Sequence, residues 1–461
     1  MDFSRRSFLG GASAMLFAGC VAPGSLVGGK PKLRLGVLSD IHITDWESAA
    51  VFRKVLAYFR DRGVDAVMIT GDLTDHGLMS QLENVSKSWY SVFPFDKGLG
   101  GRTVEKLFVT GNHDVEGLKY GGPEMVKSLE AMKLTAEQAG RQSLSRLGLA
   151  NCWPKCFYEP YMPVFSKTVC GIDFVGAHWD AWEGVRGLEE KWRANVSRIN
   201  TDRPFFFFQH AHPRATVYGE DCWGQDKGQS TLCLKDYPNA VAVTGHSHLT
   251  LTDGRSYWRG EFTSIGASSL SYVTAPEGKK RRNQPHYRTE GECRQGQLIE
   301  VYGDRLVIER RDFVHDEPLG DDIVFELPTR GSTFAVRAFS KNNLPAFAKN
   351  TKITADLEGD AIKVVFLGAF ANPTAYPFDY KVSVEYVRAG GAKGSAESRW
   401  FQAEVCFSRA RAEKAENVVT IPLKELPEDV LQARVRVTAF NCYGGEGGWI
   451  VSDSVHFKTG V

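Results

Sequence analysis

Short apolar runs alternate with longer amphipathic stretches through the first half of the chain. Runs of this kind are typical of strands buried on both faces, so they predict parallel strands of an α/β sheet. The predicted strands are residues 33–38, 66–70, 107–110, 172–177, 205–209 and 240–244.

Amphipathic stretches between these runs predict the connecting helices. Thr44-Asp45-Trp46-Glu47 matches a capping box that would open the first helix. The face of that helix predicted to be buried consists of Phe52, Val55, Leu56 and Phe59. Further helices are predicted at residues 80–92, 123–148 and 188–199. Right-handed crossovers would then place helices on both faces of the sheet system.

The second half of the chain has a different pattern. Residues 260–273 and 297–311 predict β-ribbons that close the sheet system, and residues 327–331 predict a linker. Residues 332–461 contain short alternating strands with turn signals, which predicts a second, all-β sandwich domain at the C-terminus. Within it, residues 433–441 resemble the late strand of a fibronectin type III module.

The front of the chain predicts an export signal at residues 1–20 and a linker at residues 21–32. Arg5 and Arg6 precede an uncharged run that is too short to remain as a membrane-spanning helix. The paired arginines resemble a twin-arginine signal, which implies export of the folded protein to the periplasm or cell envelope. Residues 17–20 also resemble a lipobox. Two alternatives stay open: lipidation of Cys20 with membrane attachment, or simple cleavage near Ala22.

Composition limits the classes of protein. The 461 residues predict two or three domains, and 43% hydrophobic with 24% charged residues is ordinary for a soluble globular protein. A net charge of +1 argues against a basic surface built for specific nucleic-acid binding. Beyond Cys20 there are eight cysteines, an even number that permits disulfides in an exported chain without determining their pairing.

Polar clusters follow five of the predicted strands, each directly after its apolar run. The clusters are Asp40-Ile41-His42, Gly71-Asp72, Gly111-Asn112-His113-Asp114, His210-Ala211-His212-Pro213 and Gly245-His246-Ser247-His248. In an α/β sheet, functional residues gather at the carboxyl ends of the strands. Packing alone does not account for Asp, Asn and His recurring at five strand ends, so these clusters predict a functional site.

In this order and spacing, the five motifs resemble the calcineurin-like metallophosphoesterase superfamily over residues 33–315. The resemblance implies an α/β fold with four layers, an α/β/β/α metallophosphoesterase sandwich. We therefore expect a catalytic domain at residues 33–328 and the β-sandwich domain at residues 332–461.

The resemblance also implies a centre of two metal ions, with a ligand from each motif. The ligands implied for the first ion are Asp40, His42 and His248. Those implied for the second are Asn112, His246 and one of the later histidines, with Asp72 bridging both. Two ions about 3.5–4 Å apart need a bridging carboxylate with mixed oxygen and imidazole ligands. Such ligands suit Fe, Mn or Zn and do not choose among them.

Two further residues carry the chemistry that the resemblance implies. His113 resembles the family's non-ligand histidine, which steadies the phosphoryl group and protonates the leaving oxygen. Asp114 would orient that histidine.

One departure from the family pattern concerns the histidine before proline. The family commonly has His-His-Pro or His-x-Pro, whereas His210-Ala211-His212-Pro213 is one residue longer. Alternation points His210 and His212 to the same side of an extended strand end, so either could reach the metals. Because His210 follows the strand directly, we expect it to be the ligand. His212 would then contact substrate or support another ligand.

Other residues are candidates to contact substrate. His178 and Trp179 follow a strand end, and the alternative for His178 is a buried histidine with satisfied hydrogen bonds. Trp153, Trp179 and Trp223 could stack a base if the substrate is a nucleotide. The excursion at residues 115–167 predicts a lid or specificity loop, with a structural cover as the alternative.

Together these features predict an exported binuclear hydrolase that cleaves a small-molecule phosphate ester by attack of a metal-bridging hydroxide. They do not separate monoesters from diesters or predict an oligomeric state. A nucleotide or pyrophosphate hydrolase is the nearest variant. The rival from another class is a cell-surface binding protein that uses the β-sandwich domain and keeps a structural or vestigial metal site. The complete ligand set argues against that rival.

Overall fold

The computed structural model describes residues 29–182, 187–220, 222–275, 289–327 and 341–457. The predicted export signal, with Cys20, and most of both predicted linkers lie outside these residues. No helix in the part of the chain that is described is long and apolar enough to cross a membrane.

The first sheet begins with three parallel strands joined by helices. They are β1 (Leu33–Leu38), α1 (Ala50–Asp61), β2 (Ala66–Thr70), α2 (Met79–Val92) and β3 (Glu105–Val109). Leu35 pairs with Ala66, and Ala66 pairs in turn with Glu105, so the three strands end at the same edge of the sheet. The predicted strand–helix alternation is confirmed here.

Helix α1 buries the predicted face, Phe52, Val55, Leu56 and Phe59. The predicted capping box, in contrast, is wrong. The helix begins at Ala50, and its N-cap residue, Ala49, has no side-chain cap. Asp45 instead accepts the backbone N–H of Ser48 at 2.7 Å, so the polar residues form a separate turn before the helix.

The excursion after β3 consists of short helices. They are α3 (Asn112–Glu116), α4 (Pro123–Ala131), α5 (Ala136–Gln142), α6 (Leu144–Leu147) and α7 (Leu149–Phe157). The single helix expected at residues 123–148 is therefore divided. Lys133 adopts a left-handed backbone after α4, and Thr135 and Ser143 cap α5 and α6 with their side chains.

A second sheet follows, with strands and helices in alternation. Its elements are β4 (Val164–Val169), β5 (Ile172–Ala177), α8 (Gly187–Val196), β6 (Phe205–Phe208), α9 (Gln229–Leu234), β7 (Ala240–Thr244), β8 (Tyr257–Arg259) and β9 (Thr263–Gly266). The strand order is β4-β5-β6-β7-β9-β8, with β5, β6, β7 and β9 parallel. The ribbon expected at residues 260–273 stops at Gly266, and residues 267–273 form a loop.

Antiparallel strands complete the first sheet: β10 (Gln295–Val301), β11 (Arg305–Asp312), β12 (Glu317–Pro318) and β13 (Ile323–Glu326). Strand β10 pairs with β1. One apolar core, with Leu35, Met68, Phe206 and Val241 among its members, includes residues of both sheets. Helices α1, α2 and α7 pack in a separate core on the first sheet, and α8 and α9 pack on the second. The expected four-layer α/β/β/α sandwich is confirmed.

The C-terminal region is mostly strands in antiparallel sheets, as predicted. Its elements are β14 (Ile353–Glu358), β15 (Ala361–Leu367), β16 (Asp379–Arg388), β17 (Lys393–Ser395), β18 (Arg399–Gln402), α10 (Arg409–Ala412), β19 (Glu416–Pro422), β20 (Val430–Phe440), β21 (Glu446–Val451) and β22 (Val455–His456). Strand β20 shows the predicted alternation, with Ala433, Val435 and Val437 buried and Arg434 exposed between them.

Residues before the C-terminal sheets contribute to their core. Val273, Ala275 and Cys293 belong to the same buried cluster as the inward residues of β15, β16 and β20. Gln295 is fully buried, and its Nε2 donates to the carbonyl of Cys406 at 2.8 Å. The two regions therefore share a continuous apolar interface.

Candidate metal centre

The loops after β1, β2 and β3 meet the loops after β6 and β7 at one edge of the two sheets. Backbone hydrogen bonds join neighbouring loops: Asp40 N–H donates to Gly71 O at 3.0 Å, and Gly245 N–H donates to His210 O at 2.8 Å. Because parallel strands end together, residues more than 200 positions apart in the sequence come into contact. For example, the amide of His246 donates to Oδ2 of Asp40 at 3.0 Å.

Several of the predicted ligands have an unusual backbone conformation. The residues with φ between 45° and 70° include Asp40, His42, Asp72, His246 and His248. This left-handed region is uncommon for residues with a Cβ, and its cost is tolerated mainly where surrounding structure enforces it. Here the enforcement comes from the loop-to-loop hydrogen bonds, and the result is that short turns direct five side chains toward one point.

The first group of side chains contains Asp40, His42, Asp72 and His248, whose ligand atoms lie within 4.8 Å of one another. Nε2 of His248 lies 3.0 Å from Oδ1 of Asp40 and 3.3 Å from Nε2 of His42. Two imidazole nitrogens that face each other at this distance, beside a carboxylate, are placed as ligands of a shared cation.

The second group contains Asp72, His210 and His246 within the same limit. Nε2 of His210 lies 3.1 Å from Oδ2 of Asp72 and 3.0 Å from Oδ1 of Asn112. Oδ2 of Asp72 is also 3.6 Å from Nε2 of His42 in the first group. Asp72 therefore belongs to both groups, and its Oδ2 faces an imidazole nitrogen of each group.

The remaining nitrogen of three histidines is hydrogen-bonded to the protein. Nδ1 of His42 lies 2.9 Å from Oδ1 of Asp75, Nδ1 of His210 lies 2.8 Å from Thr70 O, and Nδ1 of His248 lies 3.0 Å from Tyr272 O. Since a carbonyl or carboxylate oxygen only accepts, each Nδ1 carries the hydrogen. Nε2 is then the nitrogen that faces the centre, and in the neutral ring it offers the lone pair that a metal ligand requires.

Burial and charge act in opposite directions on these groups. Burial alone would raise the pKa of Asp40, but the charges of His248 and His210 bring it well below its usual range. Burial would lower the pKa of His210, yet Asp72 and Asp40 raise it to about 9. His246 lies farther from carboxylates, and burial together with the charge of His210 lowers its pKa to about 3. The acidic side chains thus stay ionised and concentrate negative charge that favours cations.

The donor set fits a pair of metal ions. In the described part of the chain, Oδ1 of Asp40 is buried without a hydrogen bond of good geometry, although it is close to two histidines. A buried carboxylate oxygen left in this way carries a large desolvation cost unless another partner neutralises it. Two Asp/His groups that share a carboxylate match what a binuclear site needs.

Comparison with known proteins agrees with this geometry. A model of the calcineurin-like phosphoesterase family matches residues 33–249. Residues 33–249 are therefore similar to a calcineurin-like phosphoesterase domain.

Solved structures of low identity are similar to part of the chain. A dimetal phosphatase from Danio rerio is 14% identical, with 64% of this chain and 99% of that chain covered and a TM-score of 0.36. The anchor in the inner membrane complex of Plasmodium is 13% identical, with 65% and 89% covered and a TM-score of 0.36. A predicted phosphoesterase from Streptococcus pneumoniae is 15% identical, with 64% and 98% covered and a TM-score of 0.28. No curated protein sequence matches the chain.

His113 and Asp114 lie beside the two groups of candidate metal ligands. The amide of His113 donates to Oδ1 of Asp72 at 2.9 Å, and its Nδ1 lies 2.7 Å from the carbonyl of Asp75. The carboxylate of Asp114 accepts the amides of Gly111 at 2.8 Å and of Thr74 at 2.8 Å. Burial and the charge of Asp72 raise the pKa of Asp114 to about 6. These hydrogen bonds hold the loop turns together, and the orientation of the His113 ring by Asp114 stays a prediction.

The structure separates the two histidines of the longer motif. His210 lies in the second group, whereas the ring nitrogens of His212 lie 2.7 Å from the hydroxyls of Thr244 and Ser247. Only 1% of His212 is exposed, and burial lowers its pKa to about 3. Both ring nitrogens of His212 are used within the protein, which fits the alternative that it supports another ligand, and its contact with substrate stays a prediction. Its position supports the loop of His246 and His248.

The contacts of His178 fit its alternative, a buried histidine with satisfied hydrogen bonds. It is 1% exposed, and its Nδ1 accepts the amide of Thr110 at 3.1 Å. Trp153, 2% exposed, packs its ring against that of His178. Substrate contact by either residue stays a prediction. Trp179 is half-buried, and its ring lies 5.8 Å from that of His210 and 5.6 Å from that of His246. Trp179 therefore remains at the centre.

The sequence identified neither Tyr120 nor Tyr272 near the centre, and it predicted Asp75 to be a loop residue, with support of a ligand as the alternative. Asp75 supports His42, Tyr120 stacks on His113 with ring centroids 4.8 Å apart, and Tyr272 stacks on His248 at 4.1 Å. Asp75 follows Asp72 by three residues, and this spacing was the available signal. Tyr120 and Tyr272 lie in loops with no motif, so the sequence offered no comparable signal for them.

Proposed function

We propose that this protein is an exported phosphoesterase that uses a pair of metal ions to hydrolyse small-molecule phosphate esters. The position of Asp72 carries the proposal. Its Oδ2 lies 3.1 Å from Nε2 of His210 and 3.6 Å from Nε2 of His42, so one carboxylate oxygen serves both groups. A shared carboxylate between two sets of nitrogen and oxygen donors is the arrangement that binuclear hydrolysis requires.

The residues that would hold the first ion are Asp40, His42 and His248, and those for the second are Asn112, His210 and His246, with Asp72 shared. When bound, the ions would supply the positive charge that polarises the phosphate and the acidity that activates an attacking water. The amide of His113 occupies Oδ1 of Asp72, which orients the carboxylate so that Oδ2 remains directed at both groups.

His113 is the residue placed to manage the leaving oxygen. Its side chain is 28% exposed, and its Nδ1 hydrogen is held by the carbonyl of Asp75. The opposite nitrogen, Nε2, is then the atom that can donate a proton to the departing alkoxide. Separating the metal ligands from the proton donor lets the site bind the phosphate and release the alcohol with different residues.

Metal-dependent turnover tests the proposal. The purified protein, loaded with Mn, is expected to bind two ions per chain and to hydrolyse p-nitrophenyl phosphate, bis(p-nitrophenyl) phosphate or both. Asp72→Asn removes the shared charge and should lower kcat/KM by more than about 100-fold with loss of at least one ion. Asp61→Asn, on the exposed end of α1, is the matched control and should behave as the native protein. Two bound ions with no turnover of either ester would support a binding protein instead.

Export rests on the sequence of the first twenty residues. Replacing Arg5 and Arg6 with lysine should keep the protein in the cytoplasm, measured by fractionation of cells that produce the full chain. Cys20→Ala separates the two alternatives for attachment. Release of the variant from the membrane fraction would support lipidation, and an unchanged soluble distribution would support simple cleavage.

A further inference from the structure

Four aromatic side chains surround the metal centre, and each packs on one of its histidines. We call Tyr120, Trp179, Trp223 and Tyr272 the aromatic rim. Trp223 stacks on His246 with ring centroids 4.6 Å apart and an interplanar angle of 30°. Tyr120 stacks on His113 at 4.8 Å and 23°. The rings of the rim therefore contact the rings of candidate metal ligands and of the candidate proton donor, His113.

Two members of the rim are exposed. Trp223 is 61% exposed and Tyr120 is 48% exposed, whereas Trp89 and Trp153 are buried. Single exposed rings are common on protein surfaces, and what distinguishes these two is that each stacks on a histidine of the centre.

The residues that directly follow Trp223 are held in place by hydrogen bonds. The amide of His212 donates to Gly224 O at 2.9 Å, and the amide of Asp226 donates to His212 O at 2.8 Å. The carboxylate of Asp226 accepts the amides of Gly228 at 2.6 Å and Ser230 at 3.1 Å. Because His212 is itself anchored to Thr244 and Ser247, the indole is presented on a rigid base.

Tyr120 is fixed in a similar way. Its hydroxyl accepts Nδ2 of Asn112 at 3.0 Å and lies 3.4 Å from Oε2 of Glu116. The bond to Asn112 leaves Oδ1 of that amide beside His210, so the tyrosine touches both a candidate ligand and the candidate proton donor. Rigid aromatic rings bind flat groups at little entropic cost, because few rotatable bonds must be ordered.

We propose that the aromatic rim selects, by stacking, phosphate esters whose retained ester group carries a flat aromatic ring, such as a nucleoside, with Trp223 as the principal contact. The inference rests on the proposed function, since it names the substrate class of the same site. Stacking on an exposed indole does not depend on the identity of the ring, so the rim favours aromatic over alkyl esters without choosing one base.

Hydrolysis of two diesters with the same leaving group tests the selection. The substrates are thymidine 5′-(p-nitrophenyl phosphate) and methyl p-nitrophenyl phosphate, assayed with Mn-loaded protein. The native protein should favour the nucleoside ester in kcat/KM by about 10-fold to 100-fold. In Trp223→Ala the ratio of kcat/KM between the two esters should fall toward one, while Trp223→Phe, which retains a ring, should keep most of the preference. Trp449→Ala is the matched control, because Trp449 is 56% exposed on β21 of the C-terminal region.

Binding provides a readout that does not need turnover. Calorimetric titration of the Mn-loaded protein compares adenosine 5′-monophosphate with ribose 5-phosphate, which have the same phosphate and differ in the ring. The nucleotide should bind at least about 10-fold more tightly, and Trp223→Ala should equalise the two. Absence of turnover with this difference intact would reject the proposed function and keep the stacking site. Two results would overturn the stacking site itself. One is equal affinity of the native protein for the two ligands. The other is an equal loss of affinity for both ligands in Trp223→Ala, with the metal content unchanged.

Discussion

At Gly111 the metal centre depends on the absence of a side chain. A Cβ at this position would collide with Oδ1 of Asp72 and would lie 2.6 Å from the Asp72 amide nitrogen and 2.8 Å from Cδ2 of His210. The backbone φ of Gly111 is −110°, which any residue can adopt, so the requirement for glycine is purely one of space. The motif glycine before Asn112 is therefore explained by the close approach of two ligands from other strands.

We expect Gly111→Ala to weaken metal binding by about 10-fold to 100-fold, because Asp72 and His210 must move to admit the methyl group. The measurement is metal affinity by competition with a chelator, alongside unfolding in urea. Gly140→Ala is the matched control, since a Cβ there has nothing within 4 Å and lies in helix α5. Unchanged metal affinity in Gly111→Ala would show that the ligands are not held at the distances described.

His178 predicts a pH dependence of folding stability. Burial, with a smaller contribution from the charge of Lys167, lowers the pKa of His178 to about 3 from its ordinary 6.5. Below pH 6.5 the unfolded chain therefore takes up a proton that the folded chain does not. This histidine's contribution is complete above that pH and is lost as the pH falls toward 3.

The unfolding free energy should fall by about 2 kcal/mol between pH 6.5 and about pH 4.5 because of His178. Other buried histidines add their own losses to this one. His178→Asn keeps an acceptor for the Thr110 amide, and its stability should fall less steeply over this range, although it starts lower. Urea denaturation of the metal-free protein at each pH measures the slope. The exposed His456→Asn should retain the native slope, and an identical slope in His178→Asn would contradict the assignment.

At the scale of elements, β6 shows how one strand serves two cores. Phe206 belongs to the core between the sheets, where it stacks on Phe174 with ring centroids 5.1 Å apart. Phe205 and Phe207 belong to the core under α8 and α9, against Trp192. A continuous run of four phenylalanines is thus compatible with strict alternation, because both faces of the strand are covered.

Truncation of one of these rings should destabilise the fold without removing any group from the centre. Phe206→Ala is expected to cost about 3–5 kcal/mol of unfolding free energy, through lost burial and the cavity that remains. Phe95→Ala, at a position that is 89% exposed, should change stability by less than about 0.5 kcal/mol. Chemical denaturation of both variants gives the comparison. Similar small effects in both would mean that the two sheets do not pack as closely as the structure shows.

At the scale of the whole molecule, the residues from Pro31 onward form one compact unit. Val273, Ala275 and Cys293 lie in the core of the C-terminal sheets, and Thr252 Oγ1 donates to the carbonyl of Val405. Glu317 accepts the hydroxyl of Ser408 at 2.7 Å and the guanidinium of Arg411 at 3.2 Å, adding polar contacts to the apolar interface.

This shared core predicts that the protein unfolds in a single thermal transition. A chain that ends after Leu327 would expose Val273, Ala275 and Cys293, and it should show a lower Tm or aggregate. Differential scanning calorimetry of the full chain and the truncated chain is the measurement. Two separate transitions, or a truncated chain with the native Tm, would show that the C-terminal sheets are an independent module.

The sequence by itself determined the parallel strands that precede the motifs and the residues that gather at their ends, whereas strand β4 was not predicted and the four-layer arrangement was implied by the family resemblance. This was possible because each motif directly follows a buried strand, and parallel strands bring their ends to one edge. The period of the apolar residues in α1 was likewise a local property, and so was the alternation in β20.

Only the tertiary structure decided which side chains of equal local pattern face the centre. His210 and His212 have the same alternation, and they differ because Thr244 and Ser247 of a neighbouring loop bind the second of them. The stacking of Tyr120 and Trp223 on histidines of other loops, and the shared core with the C-terminal sheets, also depend on contacts between distant segments. Local sequence sets conformation over a few residues, whereas these contacts are set by how separate elements pack, which no single stretch of the chain encodes.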